Sequence, residues 1–505
     1  MKDVACAGVK ERPPYIVLER SQDGTFSAKG LNEWDSSCLG DDFAIAASWK
    51  WNGKTLIAQT GQLNIRMLFW GTHQDKAILS TSLVTVTEFI GQVSTDFPAV
   101  ACFMRLGFFI ENDTPFKEIT TIPPNYNGTL LGINFTNIRQ TSYPRFSECA
   151  LRGAVLERHY GEAFRASIRT RAAHGDLIHP LSGGRDSRHI LFELLADRRR
   201  PRYCITADLP PSRDLEDTRI ARLLCERLGL EHRTVPLSKT YFQDLLEKNK
   251  ATSLCADEHT WAMPLARQIS MVDCTIFDGI GGDVLSAGLF STPDRIVQFR
   301  SGRLDELANN LLGDNEAFLE TSLEPNFLSL ISRSIATERL VKVLNEFRDF
   351  INPVAGFFFW NRTRREIAQY SLGLYGHNVR VQMPFLEMET FGMLSGLSAE
   401  LLSDKNFHTR TIARMHPELS DIPYTKSSSD PTAMRQSNSD ARRWSRAFAI
   451  DTIRYLIASG QRPLLKYGAS VSIAKCGWSG KISDCWIDIE KLVWLNQVIQ
   501  YSRAK

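Results

Sequence analysis

The sequence predicts an α/β protein, and three observations carry that prediction. Up to about residue 145, short β-like runs alternate with turns; from about residue 150, strands alternate with helices; and one strand-to-helix junction holds the run Ser182-Gly183-Gly184-Arg185-Asp186-Ser187. In the first region Phe43–Trp49, Thr55–Ala58 and Met67–Trp70 read as strands, with turns at Asn52-Gly53 and Gly71-Thr72. A single helical segment, Phe97–Leu106, interrupts them, and Pro123-Pro124-Asn125 closes the region. In the second region Ala150–Ala173 shows helical spacing of Leu151, Val155, Ala163 and Ile168. A strand near Tyr203–Thr206, a helix over Asp217–Leu228 stopped by Gly229, and strands at His232–Val235 and Thr275–Phe277 follow. Such alternation implies a parallel sheet covered by helices on both faces.

Composition bounds the function classes. At 505 residues the chain is long enough for two or three domains, and 43% hydrophobic with 23% charged residues is ordinary globular usage. The expected partition is 1–145, 146–435 and a helical extension over 436–505. A formal charge of +3 does not suggest a nucleic-acid binder. Local charge gathers at Arg198-Arg199-Arg200 with Arg202, expected to cap the helix it follows, and at Arg362–Arg365. No apolar run approaches the roughly 18 residues that span a bilayer, and Met1–Cys6 lacks the core of a secretory signal. Ten scattered cysteines without Cys-x-x-Cys argue against a zinc ribbon or disulfide framework, so a reduced cytoplasmic setting is expected. Ser427–Pro431 reads as a mobile loop.

The Ser182–Ser187 run carries the chemistry. Gly183 and Gly184 let the backbone close around an anion, and the following helix adds its free first-turn amides. Ser182 and Ser187 supply hydroxyls, and Asp186 can hold Mg2+ against phosphate oxygens. The loop is too short for a Walker-type site and suits cleavage of ATP between its α and β phosphates. Downstream, Thr275–Phe277 runs into Asp278-Gly279-Ile280-Gly281-Gly282-Asp283. Ligand sites in open parallel sheets gather at carboxyl ends of strands, so Asp186 and Asp283 are expected to converge on one ion.

The two loops resemble the synthetase domain of the asparagine synthetase family, which reads Ser-Gly-Gly-x-Asp-Ser and Gly-Glu-Gly-x-Asp-Glu. Leu209–Leu215 is similar to the family's adenine-side loop, Val379–Glu387 to its Arg-x-Pro-Phe-Leu-Asp segment, and Ile422–Lys426 to the segment bearing its lysine. Thr55–Ile90 and Phe97–Pro124, above all Met104–Phe109 and Phe116–Ile119, resemble the later part of its glutaminase domain. The likeness implies an Ntn-hydrolase-like β-rich α+β sandwich, then a parallel-sheet adenine-nucleotide α-hydrolase-like (PP-loop) domain. It implies that a carboxylate attacks the α-phosphate of ATP, giving an acyl-adenylate and pyrophosphate, and that an amine then displaces AMP. By carry-over, Ser182, Gly183, Gly184, Asp186 and Ser187 hold pyrophosphate, and Asp186 and Asp283 hold Mg2+. Leu181, Ala207 and Gly279, with Asp278 beside them, line the adenosine side, and Lys426 neutralises developing charge.

Departures from the family narrow the activity. Position 2 is Lys2 rather than the cysteine a glutaminase needs, and Cys6-Ala7-Gly8-Val9 only faintly matches the family's opening. The N-terminal domain is therefore expected to lack glutaminase chemistry, with the amine already on the substrate. Ile280 and Val284 replace acidic residues, and an isoleucine accepts no proton. Lasso-peptide cyclases and β-lactam synthetases are divergent members of this kind, and Gly-x-Gly-Gly-Asp is closer to the lasso-cyclase form. Glu258, His259 and Tyr424 are candidate replacement bases; Arg185 either touches phosphate or covers the helix start, and Arg380 either serves the site or forms a structural salt bridge. The leading expectation is an ATP-dependent amide ligase for a small-molecule or peptide carboxylate and amine, with a precursor peptide and partner protease in the macrolactam case. The alternatives are an asparagine synthetase using ammonia or glutamine, a degenerate ATP-binding regulator, and a tRNA-modifying enzyme, which the near-neutral charge disfavours.

Overall fold

The computed structural model describes residues 12–130, 143–208, 216–376, 378–425, 438–460, 466–479 and 486–503. The N-terminal region is two antiparallel sheets face to face. One has the order β2-β1-β7-β6-β8, from β1 (Tyr15–Arg20), β2 (Phe26–Gly30), β6 (Phe69–His73), β7 (Lys76–Ser80) and β8 (Ile119–Thr121). The other has the order β3-β4-β5-β9, from β3 (Glu33–Asp35), β4 (Ala47–Trp51), β5 (Leu56–Thr60) and β9 (Asn127–Thr129). Alternate residues of both sheets, among them Ile16, Leu18, Trp34, Trp49, Trp51, Leu56, Trp70 and Leu79, bury a shared core.

Two expectations for this region change. The strand expected at Phe43–Trp49 starts only at Ala47, because the Asp42 carboxylate accepts from the amides of Ala44 (3.1 Å) and Ile45 (3.3 Å) and bends the chain into a turn. Among the described residues there are two α-helices here rather than one: α1 (Leu83–Ile90) precedes α2 (Phe97–Leu106). Val84–Thr87 is β-branched, with low helix propensity, but Ser82 caps the segment at the Thr85 amide, and Val86 and Ile90 pack against Gly71 of β6.

The second region is a five-stranded parallel sheet in the order β12-β11-β10-β13-β14. Its strands are β10 (Asp176–Pro180), β11 (Tyr203–Ala207), β12 (His232–Val235), β13 (Cys274–Phe277) and β14 (Val379–Gln382). β10 and β13 are fully hydrophobic or buried in their middle, as a strand covered on both faces must be. The chain winds outward from β10 to β12 and returns to β13 on the other side, so the strand order reverses between β10 and β13. Helices α3 (Gly153–Arg169), α4 (Asp186–Ala196) and α5 (Glu216–Leu228) follow the expected pattern.

The basic clusters are structural. Arg199 donates to the carbonyls of Ile168 (2.5 Å) and Arg171 (2.7 Å) beyond α3, and Arg200 to those of Leu228 and Gly229 at the end of α5. Their side chains thus close neighbouring helices, while the backbone closes the helix they follow: Arg198, at φ 60°, donates its amide to Leu195 O (3.0 Å), and Arg199 donates its amide to Leu194 O (2.8 Å). Arg364 and Arg365 are buried and hold the carbonyls of Glu111 and Asp113.

The two regions share a core. Phe103 of α2 stacks on Trp494 of the C-terminal helix Trp486–Arg503 at 3.9 Å, and Arg105 pairs with Glu316 through two bonds of 2.6 and 3.0 Å. Gly107 ends α2 at φ 84°, where a β-carbon would lie 2.0 Å from Asp257 Oδ2. Among the described residues every cysteine is a free thiol, and no helix is long and apolar enough to cross a membrane.

Gly107 and Gly53 provide a matched test of that junction. Gly53→Ala, at φ 91° with open space around it, is expected to cost about 1 kcal/mol from backbone strain alone. Gly107→Ala, at a similar φ but against a buried carboxylate, is expected to cost at least about twice that. Urea unfolding of the two variants measures the difference; equal losses would mean the α2–Asp257 contact does not hold the regions together.

Candidate nucleotide site

The first loop leaves the carboxyl end of β10, the sheet's central strand. Leu181 is tied to β11 on both sides: its amide donates to Ile205 O (2.9 Å) and its carbonyl accepts from Thr206 Oγ1 (2.6 Å). The Ser187 hydroxyl, on the first turn of α4, accepts from the Ser182 amide (3.1 Å) and lies 3.0 Å from Ser182 Oγ. Ser182 Oγ in turn accepts from the Gly184 amide (3.2 Å). The hydroxyls thus fold the loop onto the start of α4, where first-turn amides favour an anion. A β-carbon on Gly183 would meet Thr425 Oγ1 at 1.9 Å, so only glycine fits there.

The second loop leaves β13 beside it, and the two meet at Asp186. A β-carbon on Gly279 would lie 2.7 Å from Asp186 Cβ, and one on Gly282 would lie 2.5 Å from its Cγ. Asp283 is close enough that the Asp186 charge, after burial itself, is the next cause raising its pKa to about 6, with Arg362 opposing. Burial also raises the Asp278 carboxyl, which accepts from Ser371 Oγ and from the amides of Ile280 and Gly279. Asp186 Oδ1 is buried with no hydrogen bond; His408 Nδ1 stands 3.3 Å away but bonds Ser286 Oγ at 2.9 Å. A buried carboxylate oxygen without a donor, facing a second acid whose charge it resists, fits a divalent cation. Among the described residues no group of three metal-ligating side chains forms, so Mg2+ here would rest on Asp186 and Asp283 and complete its shell from phosphate and water.

The remaining expected residues separate. Leu181, Ala207 and Gly279 all lie at carboxyl ends of adjacent strands, as an adenosine pocket requires. Arg185 donates to Thr409 Oγ1 (2.6 Å) and lies over the Tyr424 ring at 5.2 Å. Arg188, buried, covers the same ring at 3.8 Å and holds the carbonyls of Ile422 (2.8 Å) and Pro423 (2.6 Å). Tyr424, a candidate base, is instead a platform for two guanidinium groups, and burial raises its pKa. Its segment is pinned to the first loop by the Thr425 amide on Gly183 O (3.1 Å), and Asp217 Oδ1 accepts from both Thr425 Oγ1 (2.6 Å) and the Gly183 amide (3.0 Å). Lys426 follows directly but, like Cys6, Leu209–Leu215 and Ser427–Pro431, lies outside the described residues. Arg380, on β14, pairs with Thr275 of β13, and its stem lies 3.7 Å from where a Gly40 β-carbon would be. Ile280 is 3% exposed, so the position where an acid was missed is part of the core.

Sequence reasoning missed the support behind Asp186. His408 Nε2 meets His189 Nδ1 at 3.0 Å, and Glu193 accepts from Arg165 (2.6 Å) and lies 2.8 Å from His416 Nε2. Burial holds His189 neutral, with its pKa well below the usual range. His189 and Glu193 sit four apart on α4, a helical spacing that marks one face, but their partners come from far along the chain.

A parallel sheet with two glycine loops and two acids at its reversal point defines an α/β domain of the kind that binds ligands at the carboxyl ends of its strands. The family model described as Asparagine synthase matches residues 159–439, more than half of the chain and all of this site. The chain belongs to that family, whose general chemistry is ATP-dependent carbon–nitrogen ligation. No curated protein matches it at a significant level.

Asp283 makes a pH-dependent prediction. Its folded pKa of about 6 lies above the ordinary carboxylate value near 4, so the fold resists its ionisation and stability falls as pH rises through that window. Asp283→Asn is expected to stabilise the metal-free protein at pH 7 by about 1–3 kcal/mol, with no gain by about pH 4, while abolishing stabilisation by Mg2+ and ATP. Thermal unfolding across pH, with and without Mg2+ and ATP, checks both halves.

Proposed function

We propose that the protein adenylates a substrate carboxylate with ATP, releasing pyrophosphate, and passes the acyl group to an amine with loss of AMP. The reading rests chiefly on the contact of Asp186 with Gly279 and Gly282, which brings the two loops together. In that reading Ser182, Gly183, Gly184 and Ser187 bind the pyrophosphate, Leu181, Ala207, Asp278 and Gly279 face the adenosine, and Asp186 and Asp283 hold Mg2+. Bound Mg2+ would draw charge from the leaving pyrophosphate. Lys426 acts on the α-phosphate and on the tetrahedral intermediate. The α4 N-terminus orients the phosphate chain so that the carboxylate attacks opposite the leaving group.

The acceptor is an amine carried by the substrate rather than ammonia drawn from glutamine. Ile280 supports this, since a buried isoleucine at the second loop disfavours the ordinary aspartate-to-asparagine reaction. Macrolactam formation in a precursor peptide, of the lasso type, is the specialised product we favour, in a cytoplasmic setting.

The test is a pyrophosphate assay. With ATP, Mg2+ and a panel of aspartate, glutamate and peptides carrying either side chain, at least one acid is expected to release pyrophosphate and AMP in equal amounts. Release of ADP would overturn the reading. Asp186→Ala is expected to lower the rate at least about a hundredfold, as loss of an electrostatic contact to the transferring group does, and glutamine is expected to yield no glutamate.

A further inference from the structure

A second polar assembly stands beside the Asp278–Asp283 loop, and the reaction as described does not use it. His259 holds φ 75° and ψ 12°, a left-handed backbone uncommon for a residue with a β-carbon. The loop around it is clamped from both ends. Lys248 Nζ donates to the carbonyls of Ala256 (2.8 Å) and Asp257 (3.2 Å), and Thr260 Oγ1 donates to Glu490 Oε2 (2.9 Å), which the C-terminal helix supplies. Strain of this kind persists only where its surroundings impose it, and it concentrates at working sites.

The imidazole has a definite seat. It stacks on the Tyr370 ring at 4.7 Å and 17°, and Nδ1 stands 3.9 Å from Glu366 Oε1. Glu366 is 1% exposed, and its Oε1 has no hydrogen bond among the described residues; its other oxygen lies 3.4 Å from Arg362 Nε. Both acid and arginine sit on the π-helical stretch Phe359–Ile367, a rare geometry that recurs at functional sites.

Two routes tie this pair to the nucleotide loops. Arg362 faces Asp283 as well as Glu366, Glu258 and Asp257. Tyr370 feels the Asp278 charge, and its neighbour Ser371 donates to the Asp278 carboxylate. His259 is partly exposed where Glu366 is buried, so the imidazole is the outer member and the carboxyl stands behind it.

We propose that His259 is the base that takes the proton from the attacking amine, with Glu366 as the positioning residue behind its ring. This rests on the ligase reading above. The amine nitrogen bonds to the acyl carbon, its proton passes to the imidazole nitrogen remote from Glu366, and the carbon–oxygen bond to AMP breaks with its electron pair leaving on AMP. The proton then passes to solvent. Glu366, buried behind the ring with Oε1 3.9 Å from Nδ1, presents a carboxyl group to the inner side of the imidazole. The ligand class is a primary amine, and position 280 is not needed as a base.

The experiment separates activation from transfer. The acid giving most ATP–pyrophosphate exchange in the panel above is used with two amine probes: methylamine, which must shed a proton, and hydroxylamine, which is largely unprotonated near neutral pH. In His259→Gln, exchange is expected within about threefold of the unmodified protein, and kcat for methylamine is expected to fall about 10²–10³-fold, the range for loss of a general base, at little-changed KM. Transfer to hydroxylamine is expected to fall less than about fivefold. The isosteric Glu366→Gln is expected to show the same pattern with about a tenfold loss. Equal losses with both amines, no loss with methylamine, or exchange in the unmodified protein without transfer to methylamine would each overturn the proposal. Absence of exchange in the unmodified protein would instead overturn the ligase reading, and this inference with it.

Discussion

The contact of Asp186 with Gly279 and Gly282 is the constraint on which the rest of the site depends. Two turns nearly a hundred residues apart can share one ligand only if their backbones approach within a side chain's width. A β-carbon at either glycine would occupy the place of the Asp186 side chain. That approach leaves two carboxylates facing each other at low exposure, an arrangement that costs stability without a cation. The cost is characteristic of a site arranged for its ligand rather than for the resting fold.

Much of the remaining structure holds those two turns still. His408, His189 and Glu193 back Asp186, Arg188 grips the Ile422–Thr425 segment against the first loop, and Ser371 seats Asp278. The N-terminal sandwich contributes as well. Its helix α2 ends on Asp257, one residue from Glu258, and the carbonyls of Glu111 and Asp113 are held by Arg364 and Arg365 of the π-helical stretch. The N-terminal sandwich thereby serves as a wall for the second region.

Both loops and the strands β10 to β13 were legible in the sequence, since two Gly-rich runs, each after a short apolar segment, reinforce one another; β14 was not read as a strand. The β12 and α5 boundaries fell close to expectation because Gly229 and the apolar period mark them plainly. Elsewhere local signals misled. The helix Leu83–Ile90 went unread because its β-branched Val84–Thr87 has low helix propensity, which capping by Ser82 and packing on β6 outweigh. Phe43–Ala46 became a turn through one aspartate carboxylate. Tyr424 and Arg380 looked available for chemistry, but one ring is covered by two arginines and the other side chain rests on the N-terminal region.

By itself the sequence determined the class of fold, the family and the acids at the two loops, because these depend on residue types at short spacing, where backbone geometry is set by near neighbours. The tertiary structure alone decided that Asp186 and Asp283 share a site, that Ile280 belongs to the core, and that His259, Glu366 and Arg362 stand together beside them. Those juxtapositions join segments up to about a hundred residues apart, and only the burial of a common core determines which distant side chains meet.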